Sequence, residues 1–124
     1  MQDHEVYAAI GEGGFRRLVG AFYRQVRTDD ILARIYPQGD FAGAEERLRG
    51  FLIYRFGGPE TYIEQRGHPR LRMRHSPFRV DEAARHRWVE LMTKALDEVQ
   101  FPAEIRKILS DYFESTATAM INSR

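Results

Sequence analysis

The stretch that decides the fold is Gly67–Phe78, which reads GHPRLRMRHSPF. Arginine alternates there with apolar residues, and one histidine, His75, stands near the end. A strand would place His75 on the same face as Leu71 and Met73. A short helix would place it on the same face as Leu71 and Phe78. In both conformations one imidazole lies on an apolar face that guanidinium groups flank.

The two prolines of this stretch favour the helix, because Pro69 suits a first helical turn and Pro77 would end the helix. A lone imidazole among arginines suits an iron ligand beneath a flat, apolar cofactor with acidic edges, of which haem is an example. A structural histidine is the more frequent occupant of such a face. The arginines also fit a solvated basic surface or a weak nucleic-acid patch, so the alternatives stay open at this point.

The composition of the chain excludes several functional classes. Its 124 residues favour one domain spanning residues 1–124, and its net charge of +1 argues against nucleic acid as a partner. No apolar run approaches the roughly 20 residues that cross a bilayer, so no membrane partner is expected. The absence of cysteine excludes thiolate catalysis and thiolate ligation. Residues 1–5 lack the pattern of a secretion signal, which predicts a cytoplasmic location.

Four apolar stripes at helical spacing predict an all-α fold with four long helices. Glycines 11, 13 and 14 are expected to precede the first long helix, and a short helix is predicted at Asp29–Ile35. Asp81 and Pro102 suit the beginnings of the last two helices, which should form an antiparallel hairpin because few residues join them. The stripes run from Phe15 to Val26, Phe41 to Leu52, Ala84 to Val99 and Ile105 to Met120.

Three aromatic residues with a polar atom, Tyr23, Tyr36 and Trp88, lie within these stripes or beside them. Each has one hydrogen-bond donor that needs a partner when buried, and core aromatics bonded to nearby carbonyl groups are the simplest interpretation of each alone. No phosphate-binding loop, nucleophile elbow or His-Glu-x-x-His motif accompanies them. Adjacent carboxylates such as Asp29 and Asp30 diverge on a helix and are expected to be solvated.

Taken together, these residues resemble the group II truncated haemoglobins, the short 2-on-2 globins. The resemblance rests on Gly67–His75 with Pro77-Phe78, on the Gly57-Gly58-Pro59 turn, and on Phe41–Arg49, Phe22-Tyr23, Tyr36-Pro37, Tyr62 and Trp88. It runs from about Tyr7 to Asn122, nearly the whole chain. It implies an all-α, globin-like 2-on-2 helical sandwich around haem b (iron protoporphyrin IX).

The resemblance also implies roles for individual residues. His75 corresponds to the proximal ligand of the haem iron, and Tyr23, Tyr36 and Trp88 correspond to the polar residues of the distal pocket. Ala44 stands where many globins have a distal histidine, and alanine cannot donate a hydrogen bond. The pocket-lining residues would be Phe22, Ala44, Leu48, Phe51, Leu52, Leu71, Phe78 and Met92, and the propionate contacts would be Arg47, Tyr62 and Arg74.

The function that the resemblance implies is reversible binding of O₂ and of other diatomic ligands such as NO and CO. One hydrogen bond to a charged acceptor, worth about 1.5–3 kcal/mol, would slow O₂ release roughly tenfold to a hundredfold. Two or three donors would make release too slow for bulk oxygen transport. NO dioxygenation or peroxidase-like chemistry is the second hypothesis and needs a separate reductase. A haem-free helical adaptor is the third, and the choice between monomer and homodimer stays open.

Overall fold

The computed structural model describes residues 1–36, 40–60 and 80–121. Within those ranges the chain forms α-helices and no strand, which confirms the predicted all-α class. After a 3-10 helix at Asp3–Glu5, the helices are α1 (Val6–Val26), α2 (Phe41–Arg55), α3 (Glu82–Val99) and α4 (Ala103–Ala119). Several residues with predicted haem contacts lie outside the described ranges, namely Tyr62, Leu71, Arg74, His75 and Phe78.

Helix α1 occupies the centre of the described fold, since it packs against both α2 and α3, while α4 packs against α3. Its inward face repeats at intervals of three and four residues, and the side chains on that face are fully buried. These side chains are Phe15, Leu18, Val19, Phe22 and Val26. Removing this apolar surface from water is the main favourable contribution to folding.

The expected helix start is confirmed for Gly11, which lies before the longer segment of α1, and is wrong for Gly13 and Gly14, which lie inside that segment. Only Gly11 leaves helical geometry, with φ 67° and ψ −179°, and its bend divides α1 into two segments. Gly13 and Gly14 continue the helix. Gly14 packs so closely that an added Cβ would lie 2.7 Å from the Ile10 side chain. One glycine therefore makes the bend, and another permits close packing.

Side-chain caps and turn residues define the ends of the other helices. The carboxylate of Asp40 accepts the backbone N–H of Gly43 at 3.1 Å, and that of Asp81 accepts the N–H of Ala84 at 2.9 Å. Gln100 ends α3 in the left-handed conformation, with φ 54°, and Pro102 precedes α4. The short link confirms the predicted hairpin of the last two helices.

The predicted short helix at Asp29–Ile35 is instead a run of turns. The carboxylate of Asp29 caps this run by accepting the backbone N–H groups of Ile31 and Leu32, at 3.1 and 2.8 Å. Pro37 follows closely and disfavours helical geometry in the residue before it. The segment is thus too short to propagate a helix after its first turn.

Among the described helices, none has both the length and the apolar character needed to cross a membrane.

A tight turn at Gly57 brings the start of the chain against the end of α2. Gly57 has φ 98°, and an added Cβ would lie 1.8 Å from the carbonyl oxygen of His4. Next to it, the backbone N–H of Tyr7 donates to the carbonyl of Phe56 at 2.9 Å. Only glycine fits both the dihedral angle and the close approach.

We expect Gly57→Ala to lower the free energy of unfolding by about 1–3 kcal/mol, because it combines a strained φ with a backbone clash. The matched control is Gly13→Ala, at an exposed helical site where the new Cβ would meet only Arg17, at 3.8 Å. The control should leave stability unchanged or raise it by up to about 1 kcal/mol. Urea denaturation of both variants measures this, and equal stabilities would contradict the assigned turn.

Candidate ligand-binding pocket

The fold brings Tyr23 of α1, Tyr36 of the following turn and Trp88 of α3 together. The hydroxyl of Tyr23 donates to the hydroxyl oxygen of Tyr36 at 3.3 Å, which is long for a bond between two hydroxyls. The side chain of Trp88 is a neighbour whose hydrogen-bonding influence lowers the pKa of Tyr36. An indole N–H can only donate, so both neighbours present donors to the Tyr36 oxygen. The O–H of Tyr36 is then left to donate in another direction.

Aromatic rings hold these three donors in place. The ring of Phe22 packs edge-on against Tyr23, with centroids 5.0 Å apart, and against Trp88, at 5.2 Å. The rings of Tyr23 and Tyr36 are nearly perpendicular, with centroids 5.4 Å apart. On its other side, Trp88 meets Phe113 of α4 at 5.6 Å. Edge-to-face contacts of this kind favour a defined ring orientation, so the polar atoms are fixed by packing as well as by hydrogen bonds.

The side chains around the donors are apolar. Tyr23 is 3% exposed and belongs to the same buried cluster as Phe22, Ala44, Phe51, Leu52 and Met92. Leu48 of α2 is half-buried and packs against this cluster. Ala44 brings no polar atom to it. Contact of any of these residues with haem stays a prediction.

Both tyrosines are protonated near neutral pH, and burial moves their pKa values further above it. It raises the pKa of Tyr23 well above 10, the nearby Tyr36 adds to the rise, and the positive charge of Arg47 opposes it. Burial also raises the pKa of Tyr36, while the hydrogen bonds from Tyr23 and Trp88 oppose that rise. Both side chains can therefore act as hydrogen-bond donors over the physiological range.

The guanidinium of Arg47, which was predicted to contact a propionate, lies 3.5 Å from the carboxylate of Asp40. Both side chains are partly exposed, so this ion pair is weak. Arg47 lies one turn of α2 beyond Gly43, whose N–H the same Asp40 carboxylate caps. The propionate role of Arg47 stays a prediction.

The sequence failed to identify one group beside the pocket. Asp29 was expected to be solvated, yet its side chain is 9% exposed and contacts Arg87 of α3 at 2.5 Å. Burial alone would raise the pKa of Asp29, but the hydrogen bonds from Leu32, Arg87 and Ile31 outweigh it and hold the pKa below its usual value. Asp30 is solvated as expected, at 84% exposure. Asp29 and Arg87 are 58 residues apart, so no local pattern reveals the pair.

Within the three described ranges, no group of histidine, cysteine and acidic side chains could hold a metal ion directly. This part of the chain supplies hydrogen-bond donors and an apolar wall. Such a combination suits a small polarisable ligand in a dry pocket, beside a large apolar group.

Comparison with known proteins identifies the family to which the chain is similar. The bacterial-like globin family matches residues 5–122. The chain is 38% identical over 116 residues to the group 2 truncated haemoglobin YjbI of Bacillus subtilis, a match that covers 94% of this chain and 87% of that protein. It shares the fold of a thermostable haemoglobin from the actinobacterium Thermobifida fusca, with a TM-score of 0.91 and 47% identity over 94% of this chain and 96% of that one. The truncated oxygen-avid haemoglobin of Bacillus subtilis gives a TM-score of 0.89 and 38% identity, covering 94% and 98% of the two chains.

The raised pKa of Tyr23 predicts a loss of stability at alkaline pH. The unfolded chain releases this proton near pH 10 but the folded chain holds it to higher pH, so the stabilisation is fully present below about pH 10 and decreases as the pH rises above it. Tyr23→Phe should therefore flatten the decline in the free energy of unfolding above pH 10. Urea denaturation at several pH values up to 11 measures the slope, and an equal slope in the variant would contradict the buried phenol.

Proposed function

Because the chain belongs to the bacterial-like globin family, as one of the group II truncated haemoglobins, we propose that it binds O₂ reversibly at a haem b held by His75. Haem supplies an iron that coordinates diatomic gases such as O₂, NO and CO. The protein's share of the work is to retain the haem, to exclude water and to place hydrogen-bond donors beside the ligand. In this proposal His75 is the proximal ligand, and Arg47, Tyr62 and Arg74 contact the propionates.

The observation that carries the proposal is the hydrogen bonding of Tyr36. Its oxygen accepts from Tyr23, with the indole donor of Trp88 beside it, which leaves the Tyr36 O–H to donate to a ligand in the pocket. Tyr23 and Trp88 orient this donor, and as neighbouring donors they come into reach of the ligand if Tyr36 moves. Because Ala44 contributes no donor, stabilisation of the ligand depends on these three residues.

The apolar surroundings of Tyr36 favour O₂ over a neutral ligand. A donor in a dry, low-dielectric pocket stabilises developing negative charge more than it would in water. A haem iron would supply a ligand site at which O₂ carries more negative charge than CO, so a Tyr36 donor beside that site should retain O₂ selectively. The oxygen-avid character of the Bacillus subtilis relative supports the same direction of effect.

Slow release favours oxygen chemistry or sensing over bulk transport. NO dioxygenation and peroxidase-like chemistry would use the same pocket, and both require electrons from a separate reductase. Autoxidation and NO-challenge measurements on the oxygenated protein separate these activities from simple ligand binding.

The role of His75 is tested by replacing it. We expect His75→Ala to lose tight haem retention and to regain a Soret band when free imidazole is added, because imidazole can replace the missing ligand. His86→Ala is the matched control, since His86 is exposed on α3, and it should retain haem normally. A normal haem spectrum of His75→Ala without imidazole would assign the iron to another residue.

The roles of the distal donors are tested by O₂ dissociation. Tyr36→Phe should accelerate O₂ release by roughly tenfold to a hundredfold, because it removes one hydrogen bond to a charged acceptor. Tyr23→Phe and Trp88→Phe should also accelerate release, with effects that do not add, since the three residues form one network.

Stopped-flow mixing measures these rates, with CO dissociation as the internal comparison. Tyr7→Phe is the control, because Tyr7 packs against Phe15 near the other end of α1. Unchanged O₂ dissociation in all three pocket variants would refute the assignment.

A further inference from the structure

An ion pair joins α3 to the turn after α1 beside the pocket. Arg87, which precedes Trp88 on α3, contacts the carboxylates of Asp29 at 2.5 Å and Asp30 at 3.0 Å. The two carboxylates differ in environment, because the side chain of Asp29 is 9% exposed and that of Asp30 is 84% exposed. Water screens the second contact much more than the first.

The carboxylate of Asp29 also organises the turn that leads to Tyr36. It accepts the backbone N–H groups of Ile31 and Leu32, and the side chain of Leu32 is buried in the core. Tyr36 follows directly after this capped run of turns. One carboxylate therefore holds the turn in shape and fastens it to α3.

Two connections link the same two elements. The first is the approach of the Trp88 indole to the Tyr36 hydroxyl, and the second is the Arg87–Asp29 ion pair. Arg87 and Trp88 are adjacent on a helix, so their side chains leave α3 in directions about 100° apart. A charge-assisted hydrogen bond is stronger than a neutral one, so the ion pair is the connection that fixes the spacing.

We propose that Asp29 and Arg87 are positioning residues for the oxygen pocket. Their ion pair sets the distance between α3 and the turn, and through it the direction of the Tyr36 O–H. Neither residue is expected to touch the ligand. The expected change in O₂ dissociation rests on the proposed function, whereas the expected change in the contact between Trp88 and Tyr36 does not.

The chain offers matched controls for this proposal. Arg24 and Glu98 form another ion pair between α1 and α3, at 2.5 Å, with side chains that are 65% and 54% exposed. This second pair joins α3 to α1 itself and not to the turn that leads to Tyr36. Asp30 contacts the same guanidinium as Asp29 but accepts no backbone N–H of the turn among the described bonds.

The test compares Asp29→Asn and Arg87→Met with the controls Asp30→Asn and Arg24→Met. Asparagine at position 29 keeps an oxygen that can accept the two backbone N–H groups but loses the charge that attracts Arg87. We expect O₂ dissociation to become about threefold to tenfold faster in the two test variants, because the donor is misaligned but still present. The O₂ dissociation rates of the controls should stay within about twofold of that of the unmodified protein. Arg87→Lys, which keeps the charge, should have a rate between those of Arg87→Met and the unmodified protein.

A second readout follows the surroundings of the Trp88 indole directly. Trp88 is the only tryptophan, so its indole N–H gives a single side-chain signal in a ¹⁵N NMR spectrum. The signal should move in Asp29→Asn and Arg87→Met, in both the CO-bound protein and the haem-free full chain, and should not move in the controls. If Arg87→Met does not fold, Arg87→Gln, which is polar but uncharged, replaces it in the comparison.

The possible results separate the two proposals. Lower melting temperatures with an unchanged indole signal and unchanged O₂ dissociation would mean a purely structural ion pair and would overturn the positioning role. A chain that binds neither haem nor O₂ would refute the proposed function. In that case the indole signal of the haem-free chain still decides the positioning role.

Discussion

The hydroxyl oxygen of Tyr36 is the point at which α1, the turn after it and α3 meet. A polar atom in apolar surroundings must be hydrogen-bonded or it costs free energy, and this oxygen accepts from Tyr23 of α1 and lies beside the indole donor of Trp88 of α3. The requirement couples the three elements, since displacing any one of them would leave a donor or the acceptor without its partner. The packing of Phe22 between Tyr23 and Trp88 also stabilises this arrangement, because it fixes the two donors relative to each other.

The central position of α1 explains why so short a chain can build this arrangement. One face of α1 carries fully buried residues against α2 and α3, and the same face carries Tyr23. The helix that supplies the largest share of the described core thus also supplies a pocket donor. The bend at Gly11 and the close turn at Gly57 lie at the distant end of α1. They affect how the chain enters this helix and do not change which face of α1 carries Tyr23.

The features that could be predicted from the sequence are those with local causes. The hairpin of α3 and α4 was predictable because Asp81 and Pro102 act within one helical turn of the boundaries they set. The glycine cluster was misread because only its environment distinguishes Gly11, which bends the helix, from Gly14, which packs against Ile10. The Asp29–Arg87 pair was missed because its partners meet only in the folded chain. Tyr23, Tyr36 and Trp88 were singled out as polar aromatic residues in or beside the apolar stripes, and the resemblance supplied their expected roles. The structure brings the three together, while their roles and that of His75 stay predictions.

The carboxylate of Asp29 makes two kinds of interaction that depend on different chemical properties. Accepting two backbone N–H groups requires only an oxygen with lone pairs, which an amide also provides. Attracting Arg87 across to α3 requires the negative charge, and the lowered pKa of Asp29 keeps that charge in place at neutral pH. The shape of the turn and its distance from α3 are therefore governed by different properties of one side chain. Since the Tyr23–Tyr36 bond is long and neutral, it opposes a shift of the turn less strongly than the ion pair does. The geometry of the pocket thus depends on a charge that lies outside it.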